Sequence, residues 1–307
     1  MTRAVVFAYH NVGVRCLKAL LAHGVDVALL FTHEDNPAEY IWFDSVAAIA
    51  ADYGIPTITP DDPNTPELLQ RIRDLKPDFL FSFYYRKMLS MDLLAIAPQG
   101  ALNMHGSLLP KYRGRVPVNW AIIHGETETG ATLHYMVEKP DAGDIVDQTA
   151  VPILPDDTAG DVFSKVTLAA ESTLYRVLPA LIAGNAPRIV QDLSQGRYFS
   201  GRKPEDGCID WNWPAERIHN LVRAVAPPYP GAFTMVNGQL VRILRTQRVE
   251  LNTDTMLTPQ LELIDSRLIA HCAGGGSLQI LALDIAGDSV VPAQLTNQLG
   301  PCPWRFV

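Results

Sequence analysis

The sequence predicts a doubly wound α/β fold with a mainly parallel sheet, followed by a second, smaller, β-rich and barrel-like C-terminal domain. Two observations carry the first part: short apolar runs recur between helical segments, and these runs do not alternate with polar residues. A third observation carries the second part. From about Gly207 onward, short strand-like runs are punctuated by Gly and Asn, which is typical of small barrels or open sheets.

The N-terminal elements follow from this pattern in order. Apolar runs rich in Val, Leu and Phe predict buried strands at 4–8, 25–31, 56–58, 78–83, 101–104, 131–137 and 145–151. Segments with helical spacing predict helices at 11–24, 45–53, 66–75, 92–97, 116–124 and 158–183. In such sheets, ligands bind beyond the carboxyl ends of the strands. Residues that directly follow strands are therefore the candidates for a functional site.

A polar segment at 184–206, rich in Gly, Arg and Ser, predicts a linker. We therefore expect a catalytic domain at 1–203 and a small C-terminal domain at 204–307. The C-terminal domain should contain one helix at 215–224. Its predicted strands are 232–236, 240–245, 261–264, 268–272 and 278–283.

The overall composition is that of a globular protein. Apolar residues make up 48% of the chain, and the formal net charge is −8, which argues against a nucleic acid as the main partner. The four cysteines form no C-x-x-C pair, so we expect no metal site. The N-terminus shows neither a signal peptide nor a membrane span, so a cytoplasmic protein is expected. Oligomeric state is not predicted.

Asn103 and His105 stand two residues apart at the end of a predicted strand, so their side chains project from one face. An amide can donate to a developing oxyanion, and an imidazole can give or take a proton near neutral pH. This pairing suits carbonyl chemistry, with Gly106 and Gly114 permitting a loop close to a ligand. Spacing alone equally allows a turn-capping Asn103 and a merely polar His105.

A turn at 138–144 contains Asp141. Its Pro-Asp-Ala-Gly sequence is ordinary turn chemistry. The carboxylate could also reach an imidazole at the sheet edge, where it would favour the protonated ring and orient it. His10 follows the first strand, where ligands bind, although a packing or capping role fits equally well. His134 is interpreted as a strand residue rather than a catalyst.

Three motifs, Asn103-x-His105, Ser107-Leu-Leu-Pro and Asp141-Ala-Gly-Asp, resemble the signature of the folate-dependent formyltransferases. That family includes the methionyl-tRNA and glycinamide ribonucleotide enzymes. The similarity runs from Val5 to the C-terminus. It is strongest to the branch that formylates UDP-4-amino-4-deoxy-L-arabinose for lipid A modification and polymyxin resistance. The segments that carry this similarity are 7–10, 31–37, 81–86, 125–130, 222–226 and 230–233.

The resemblance implies roles at the matching positions. Asn103 would stabilise the tetrahedral oxyanion, His105 would donate a proton, and Asp141 would favour protonation of His105 and help take protons from the amine. The co-substrate would be 10-formyltetrahydrofolate, with no metal required. Its predicted contacts are Lys87, Met88, Leu89, Arg115, Val137, Glu138, Lys139, Pro140 and Asp141. The basic residues Lys111, Arg202 and Arg223 are candidates for the nucleotide sugar, or else solvated charges.

Three alternatives compete with this interpretation. A nicotinamide-dependent dehydrogenase fails because segment 7–13 contains one glycine where the dinucleotide fingerprint requires three. Formylation of tRNA, or of a different nucleotide-linked aminosugar, remains open, although the negative charge disfavours tRNA. A non-catalytic binding module is disfavoured because Asn103, His105 and Asp141 are all present.

Overall fold

The computed structural model describes residues 1–37, 39–250, 258–291 and 294–306. The chain divides into two units, each with its own internal contacts. Unit 1 comprises Met1–Pro117, Glu128–Pro152 and Phe163–Ser200. Unit 2 comprises Val118–Thr127, Ile153–Val162 and Gly201–Val307. The second unit thus takes in two segments that precede the predicted linker, Val118–Thr127 and Ile153–Val162.

The elements up to residue 200 alternate between strands and helices. In chain order they are β1 (Arg3–Ala8), α1 (His10–Ala22), β2 (Asp26–Phe31), α2 (Val46–Asp52), β3 (Thr57–Ile58), α3 (Pro66–Leu75), β4 (Phe79–Phe83), α4 (Met91–Leu94), β5 (Ala101–His105), β6 (Arg113–Gly114), α5 (Pro117–Ile123), β7 (Glu128–Tyr135), β8 (Ile145–Pro152), α6 (Ala159–Ile182) and β9 (Tyr198–Phe199). The strands expected from apolar runs are all present. The helix expected at 92–97 is shorter, since α4 ends at Leu94.

The main sheet of unit 1 has the strand order β3-β2-β1-β4-β5-β7-β8. Neighbouring strands from β3 to β5 pair in parallel. Strand β7 pairs antiparallel with both of its neighbours, β5 and β8. The prediction of a doubly wound, mainly parallel sheet is therefore confirmed. Ala4 to Ala8 are fully buried, as expected for a strand covered on both faces. The order reverses at β1, so the carboxyl ends of β1, β4 and β5 lie side by side where ligands bind in such sheets.

Side-chain caps start several helices of unit 1 where the sequence changes from strand to helix. The Ser45 hydroxyl accepts from the Ala48 N–H at 3.2 Å, and the Thr65 hydroxyl accepts from the Leu68 N–H at 3.4 Å. Each satisfies one of the backbone donors left unpaired in a first turn. These caps set where the helices begin and therefore where the preceding loops stop.

Unit 2 is built around an antiparallel sheet. Its elements beyond residue 200 are α7 (Ala215–Ala224), β10 (Ala232–Val236), β11 (Gln239–Val249), β12 (Gln260–Ile264), β13 (Arg267–His271), β14 (Ser277–Ile285), β15 (Asp288–Ser289), α8 (Leu295–Leu299) and β16 (Trp304–Arg305). The main order is β10-β11-β14-β13-β12-β16. A bridge between Val236 and Phe306 joins its two edges, which confirms the barrel-like architecture.

The core of unit 2 lies inside this sheet and under α7. Trp304 is fully buried, and the Trp211 ring stacks on Phe306 with centroids 3.8 Å apart. Across the described parts of the chain, no helix combines the length and apolar character needed to cross a membrane.

Candidate active site

Asn103, His105 and Asp141 lie together in unit 1, beside His134. The Asp141 Oδ1 atom is 3.5 Å from His105 Nδ1 and 3.5 Å from His134 Nε2. The Asn103 Nδ2 atom is 3.2 Å from the same His134 nitrogen. An amide, two imidazoles and a carboxylate therefore form one connected cluster.

Strand geometry explains how these side chains meet. Asn103 and His105 are two residues apart on β5, so they share a face of the sheet. The antiparallel pairing of β5 with β7 places His134 directly opposite Asn103, on that same face. The loop after β7 then returns Asp141 to the strand end. The sequence interpretation set His134 aside, because the direction and register of β7 were not visible in its apolar pattern.

The Asp141 carboxylate is held from several sides. The Gly114 N–H donates to its Oδ2 at 2.8 Å, and the Gln191 amide donates to its backbone oxygen at 3.1 Å. Its backbone is left-handed, with φ at 54°, a conformation that non-glycine residues adopt rarely and often at functional sites. The loop is thus held in an unusual shape that presents the carboxylate to the histidines.

Burial alone raises the pKa of Asp141, but the charge of His105, the hydrogen bond and charge of His134, and the Gly114 amide outweigh burial and lower it well below its usual range. The carboxylate consequently stays ionised at any pH above about 4. The stabilisation from these contacts is lost only as the pH falls below that value, toward the lowered pKa. Near neutral pH, Asp141 is therefore an anion that favours positive charge on its neighbours.

The hydrogen bonds of His105 assign a role to each of its ring nitrogens. Nε2 lies 2.8 Å from the backbone oxygen of Tyr112, which can only accept, so Nε2 carries a hydrogen. The other nitrogen, Nδ1, faces Asp141. Nδ1 is therefore the nitrogen at which the ring can accept or donate a proton, and it lies 3.5 Å from the Asp141 carboxylate.

His134 connects Asp141 to Asn103. Its Nδ1 lies 2.9 Å from the Tyr135 carbonyl oxygen and so carries a hydrogen. In the neutral ring, Nε2 accepts from the Asn103 amide; in the protonated ring, Nε2 donates to Asp141. Protonation of His134 and the hydrogen bonding of the Asn103 amide are thus coupled.

The loop between β5 and α5 is pinned by internal hydrogen bonds. The Thr132 hydroxyl donates to the Ser107 carbonyl at 2.6 Å and accepts from the Leu109 N–H at 3.1 Å. The Ser107 hydroxyl donates to the Lys111 carbonyl at 2.6 Å. These bonds fix the Tyr112 carbonyl and the Gly114 N–H, the two backbone groups that hold His105 and Asp141.

Replacing Gly114 by alanine is expected to destabilise unit 1 and reduce activity. Gly114 has φ at 98°, and a Cβ atom there would overlap the Phe199 carbonyl oxygen. The strain should cost about 1–3 kcal/mol and displace the N–H that binds Asp141. The measurement is the free energy of unfolding together with kcat.

Gly54 is a matched control, because its φ is 66° and an added Cβ meets no atom within 4 Å. The Gly54→Ala variant should lose stability from backbone strain but keep kcat. Equal kcat losses in the two variants would contradict the role assigned to the Gly114 N–H.

The positions expected to contact folate lie on three loops of unit 1: residues 87–89 after β4, Arg115 after β6, and residues 137–141 after β7. Leu89 is part of a buried core cluster of unit 1, and the partly buried Met136 packs against the same cluster. Lys87 Nζ donates to the Pro60 carbonyl at 2.6 Å, and Arg115 is exposed. Glu138 and Lys139 are exposed, and Pro140 is half-buried. As folate contacts, all these residues stay predictions.

The basic residues expected to bind the nucleotide sugar differ in environment. Lys111 is exposed on the loop after β5. The guanidinium of Arg202 lies 4.9 Å from the Trp120 ring centroid. Arg223 is only 7% exposed, and its guanidinium donates to the Asn220 side chain and to backbone carbonyls of residues 154 and 157. Those bonds occupy donors that a substrate would need, so its substrate role rests on the sequence alone.

Among the residues that the structure describes, no group of three or more His, Cys, Asp and Glu side chains is placed to hold a metal ion. The functional cluster is therefore described by its amide, imidazole and carboxylate groups.

Comparison with known families identifies the class of enzyme. Residues 4–178 match the family model for formyl transferase, and residues 202–298 match the model for the formyl transferase C-terminal domain. The chain therefore belongs to the formyl transferase family. The resemblance drawn from the Asn103, His105 and Asp141 motifs is confirmed at the level of the family, and the protein is a formyltransferase.

Solved structures of several formyltransferases share the fold. An N-formyltransferase from Helicobacter canadensis, in complex with folinic acid and dTDP-3-aminofucose, is 21% identical with a TM-score of 0.71 over 91% of this chain and 99% of its own. WlaRD, a sugar 3N-formyltransferase solved with dTDP and 5-N-formyl-THF, is 20% identical with a TM-score of 0.69 over 94% and 99%. A sugar N-formyltransferase from Shewanella sp. FDAARGOS_354 is 21% identical with a TM-score of 0.64 over 81% and 100%.

Proposed function

We propose that this enzyme transfers the formyl group of 10-formyltetrahydrofolate to the amine of a nucleotide-linked aminosugar. The observation that carries the proposal is the cluster of Asn103, His105 and Asp141 at the carboxyl end of β5 in a chain of the formyl transferase family. Structurally similar proteins described as sugar N-formyltransferases support the acceptor class.

The loops around the cluster fit a formylated folate. Met88 and Val137 expose 66% and 43% of their surfaces, which is unusual for large apolar side chains and suits an aromatic pteridine lying against them. The loop after β7 offers backbone groups to the polar edge of such a ring. When bound, the folate supplies an electrophilic formyl carbon.

The cluster then provides what amide formation requires. The amine must be held as a neutral nucleophile about 3–3.5 Å from the formyl carbon. The Asn103 amide donates to the carbonyl oxygen as it becomes negative, and the protonated His105 places a positive charge nearby. Asp141 stabilises the charged imidazole and accepts a proton that the attacking amine loses. His105 gives a proton to the departing folate nitrogen as its bond to the formyl carbon breaks. The proton taken by Asp141 then passes to Nδ1 of His105, so the protons balance over the cycle.

The acceptor that we propose is UDP-4-amino-4-deoxy-L-arabinose, formylated in the cytoplasm for lipid A modification and resistance to cationic peptides. The sequence segments 31–37 and 81–86, which are similar to that branch, support this choice. A different nucleotide-linked aminosugar is the second candidate, because the Helicobacter canadensis relative was solved with a dTDP-linked 3-amino sugar. The net charge of −8 disfavours tRNA.

The test is a mass-shift assay for formylation with 10-formyltetrahydrofolate. The panel should hold UDP-4-amino-4-deoxy-L-arabinose, UDP- and dTDP-linked 3-amino and 4-amino hexoses, and charged initiator tRNA. We expect a 28 Da gain on an aminosugar nucleotide and none on the tRNA (28 Da is roughly the mass that replacing N–H by N–CHO adds, and it needs an attackable neutral amine). Product on tRNA alone would overturn the proposal. Product on a dTDP sugar alone would replace the proposed acceptor by the second candidate.

A further inference from the structure

His10 begins α1, two residues after the end of β1, at the same end of the sheet as His105. Its φ is 67°, which is uncommon for a residue with a side chain and recurs at functional sites. The Tyr9 N–H donates to the Phe83 carbonyl at 3.0 Å, which ties this turn to the end of β4. Because β4 also pairs with β5, His10 and His105 follow strands separated by only one other strand.

Tyr84 fills the space between these two positions. A Cβ atom on Gly106, the residue after His105, would overlap the Tyr84 hydroxyl, so this hydroxyl lies against the catalytic loop. On its other side, the Tyr84 ring centroid is 6.4 Å from that of His10. His10 therefore lies one side chain away from the loop that carries the catalytic cluster.

The hydrogen bonds of His10 define what its ring offers. The Asn11 N–H donates to Nδ1 at 2.9 Å, so the hydrogen of the neutral ring is on Nε2. Burial, and then the charge of Arg86, lower the pKa of His10 to about 3, so the ring is neutral near pH 7. Over the described part of the chain, the hydrogen bonds of His10 include no acceptor for Nε2. The ring thus presents a fixed, uncharged N–H donor.

Aromatic rings pack against the His10 ring. The His10 ring centroid lies 3.9 Å from that of Phe43 and 4.6 Å from that of Trp42, both of which are half-buried. We define His10, Trp42, Phe43 and Tyr84 as the aromatic wall. Such a surface packs against the C–H faces of a ring-shaped ligand, and a single N–H donor orients it. A phosphate would instead need cations, and Arg86 is paired with Glu39 at 3.0 Å.

We infer that the aromatic wall binds the sugar ring of the acceptor, with His10 Nε2 donating to a hydroxyl or ring oxygen of that sugar. This inference rests on the proposed function. The ring that carries the reacting amine is the part of a nucleotide sugar that must lie directly beside His105, whereas the base is separated from it by the diphosphate. His10 is accordingly a specificity residue that recognises an oxygen of the sugar through a hydrogen bond and takes no part in proton transfer.

The test compares His10→Asn with His10→Gln, using the aminosugar nucleotide that the wild-type enzyme formylates. Asparagine tolerates a positive φ but its amide is too short to replace Nε2, whereas the glutamine amide reaches that position. We expect His10→Asn to lower kcat/KM for the acceptor about 3- to 10-fold, mainly through KM, with KM for the folate unchanged. His10→Gln should recover part of the loss.

A deoxy acceptor that lacks the recognised hydroxyl provides the control. The wild type should prefer the hydroxylated acceptor, and His10→Asn should discriminate between the two less. Equal discrimination by wild type and His10→Asn, across deoxy analogues at each position, would overturn the inference. Failure of the wild type to formylate any aminosugar nucleotide would instead overturn the proposed function.

A measurement on the wild-type enzyme covers the case in which the variants do not fold. With ¹⁵N-labelled histidine, the Nε2 resonance of His10 should shift on addition of the aminosugar nucleotide without folate. An unchanged resonance at saturating acceptor would overturn the inference.

Discussion

Replacing His105 by alanine is expected to reduce kcat by about 10³-fold or more while the chain still folds. The substitution removes the ring whose Nδ1 lies 3.5 Å from Asp141, and positioned general acids and bases contribute about 10²–10⁴ in rate. It also leaves the buried Tyr112 carbonyl without its donor, which should cost about 1–3 kcal/mol of stability. Steady-state kinetics and thermal unfolding on one preparation separate the two effects.

His124 gives a matched control, because it is an exposed histidine outside the cluster. His124→Ala should keep kcat within about twofold of wild type, as expected for a surface substitution away from the chemistry. If His105→Ala retained comparable activity while still binding both substrates, the proton-transfer role of His105 would have to be abandoned.

Replacing Asp141 by asparagine is expected to lower kcat by about 100-fold or more and to move the pH profile. The carboxylate is ionised above about pH 4, because the charges of His105 and His134 and the Gly114 N–H lower its pKa. Asparagine therefore removes a negative charge 3.5 Å from both imidazoles. Without that negative charge, a ring that must be protonated loses its proton at lower pH. The fall in rate that accompanies rising pH should therefore move to lower pH in the variant.

The pH–rate profiles of kcat, measured from about pH 5 to 9, test this directly. Asp144→Asn serves as the control, because Asp144 lies in the same loop and its backbone oxygen accepts from the Tyr135 N–H at 2.9 Å. This control changes the charge of the loop but leaves the cluster intact. A profile for Asp141→Asn that coincided with that of wild type would show that the carboxylate does not govern imidazole protonation.

Both variants probe a cluster that sequence reasoning identified only in part. Asn103 and His105 were recognisable because a spacing of two places side chains on one face of a strand, whatever the fold. Asp141 was recognisable only through family resemblance, since its turn has ordinary turn chemistry. His134 was passed over because an apolar strand pattern does not state which neighbouring strand it faces or in which direction.

For the basic residues, the sequence suggested a role that the burial of the side chain does not favour. Arg223 was a reasonable candidate for binding phosphates on the basis of its charge, yet it is 7% exposed and bonds to carbonyls at residues 154 and 157. The neighbours that bury it are some 70 residues away in the chain, and one-dimensional charge patterns carry no information about such partners. For the same reason, the sequence did not show that segments 118–127 and 153–162 belong with the C-terminal unit.

The sequence by itself determined the class of fold, the order of strands and helices along the chain, and the family of the enzyme. These depend on local periodicity and short motifs, which the chain carries wherever it folds. Only the tertiary structure decided which groups meet: that Asp141 lies between two histidines, that Nε2 of His105 donates to the Tyr112 carbonyl, and that His10 packs against the rings of Trp42 and Phe43. Those facts depend on strand register and loop conformation, which arise from contacts between residues far apart in sequence.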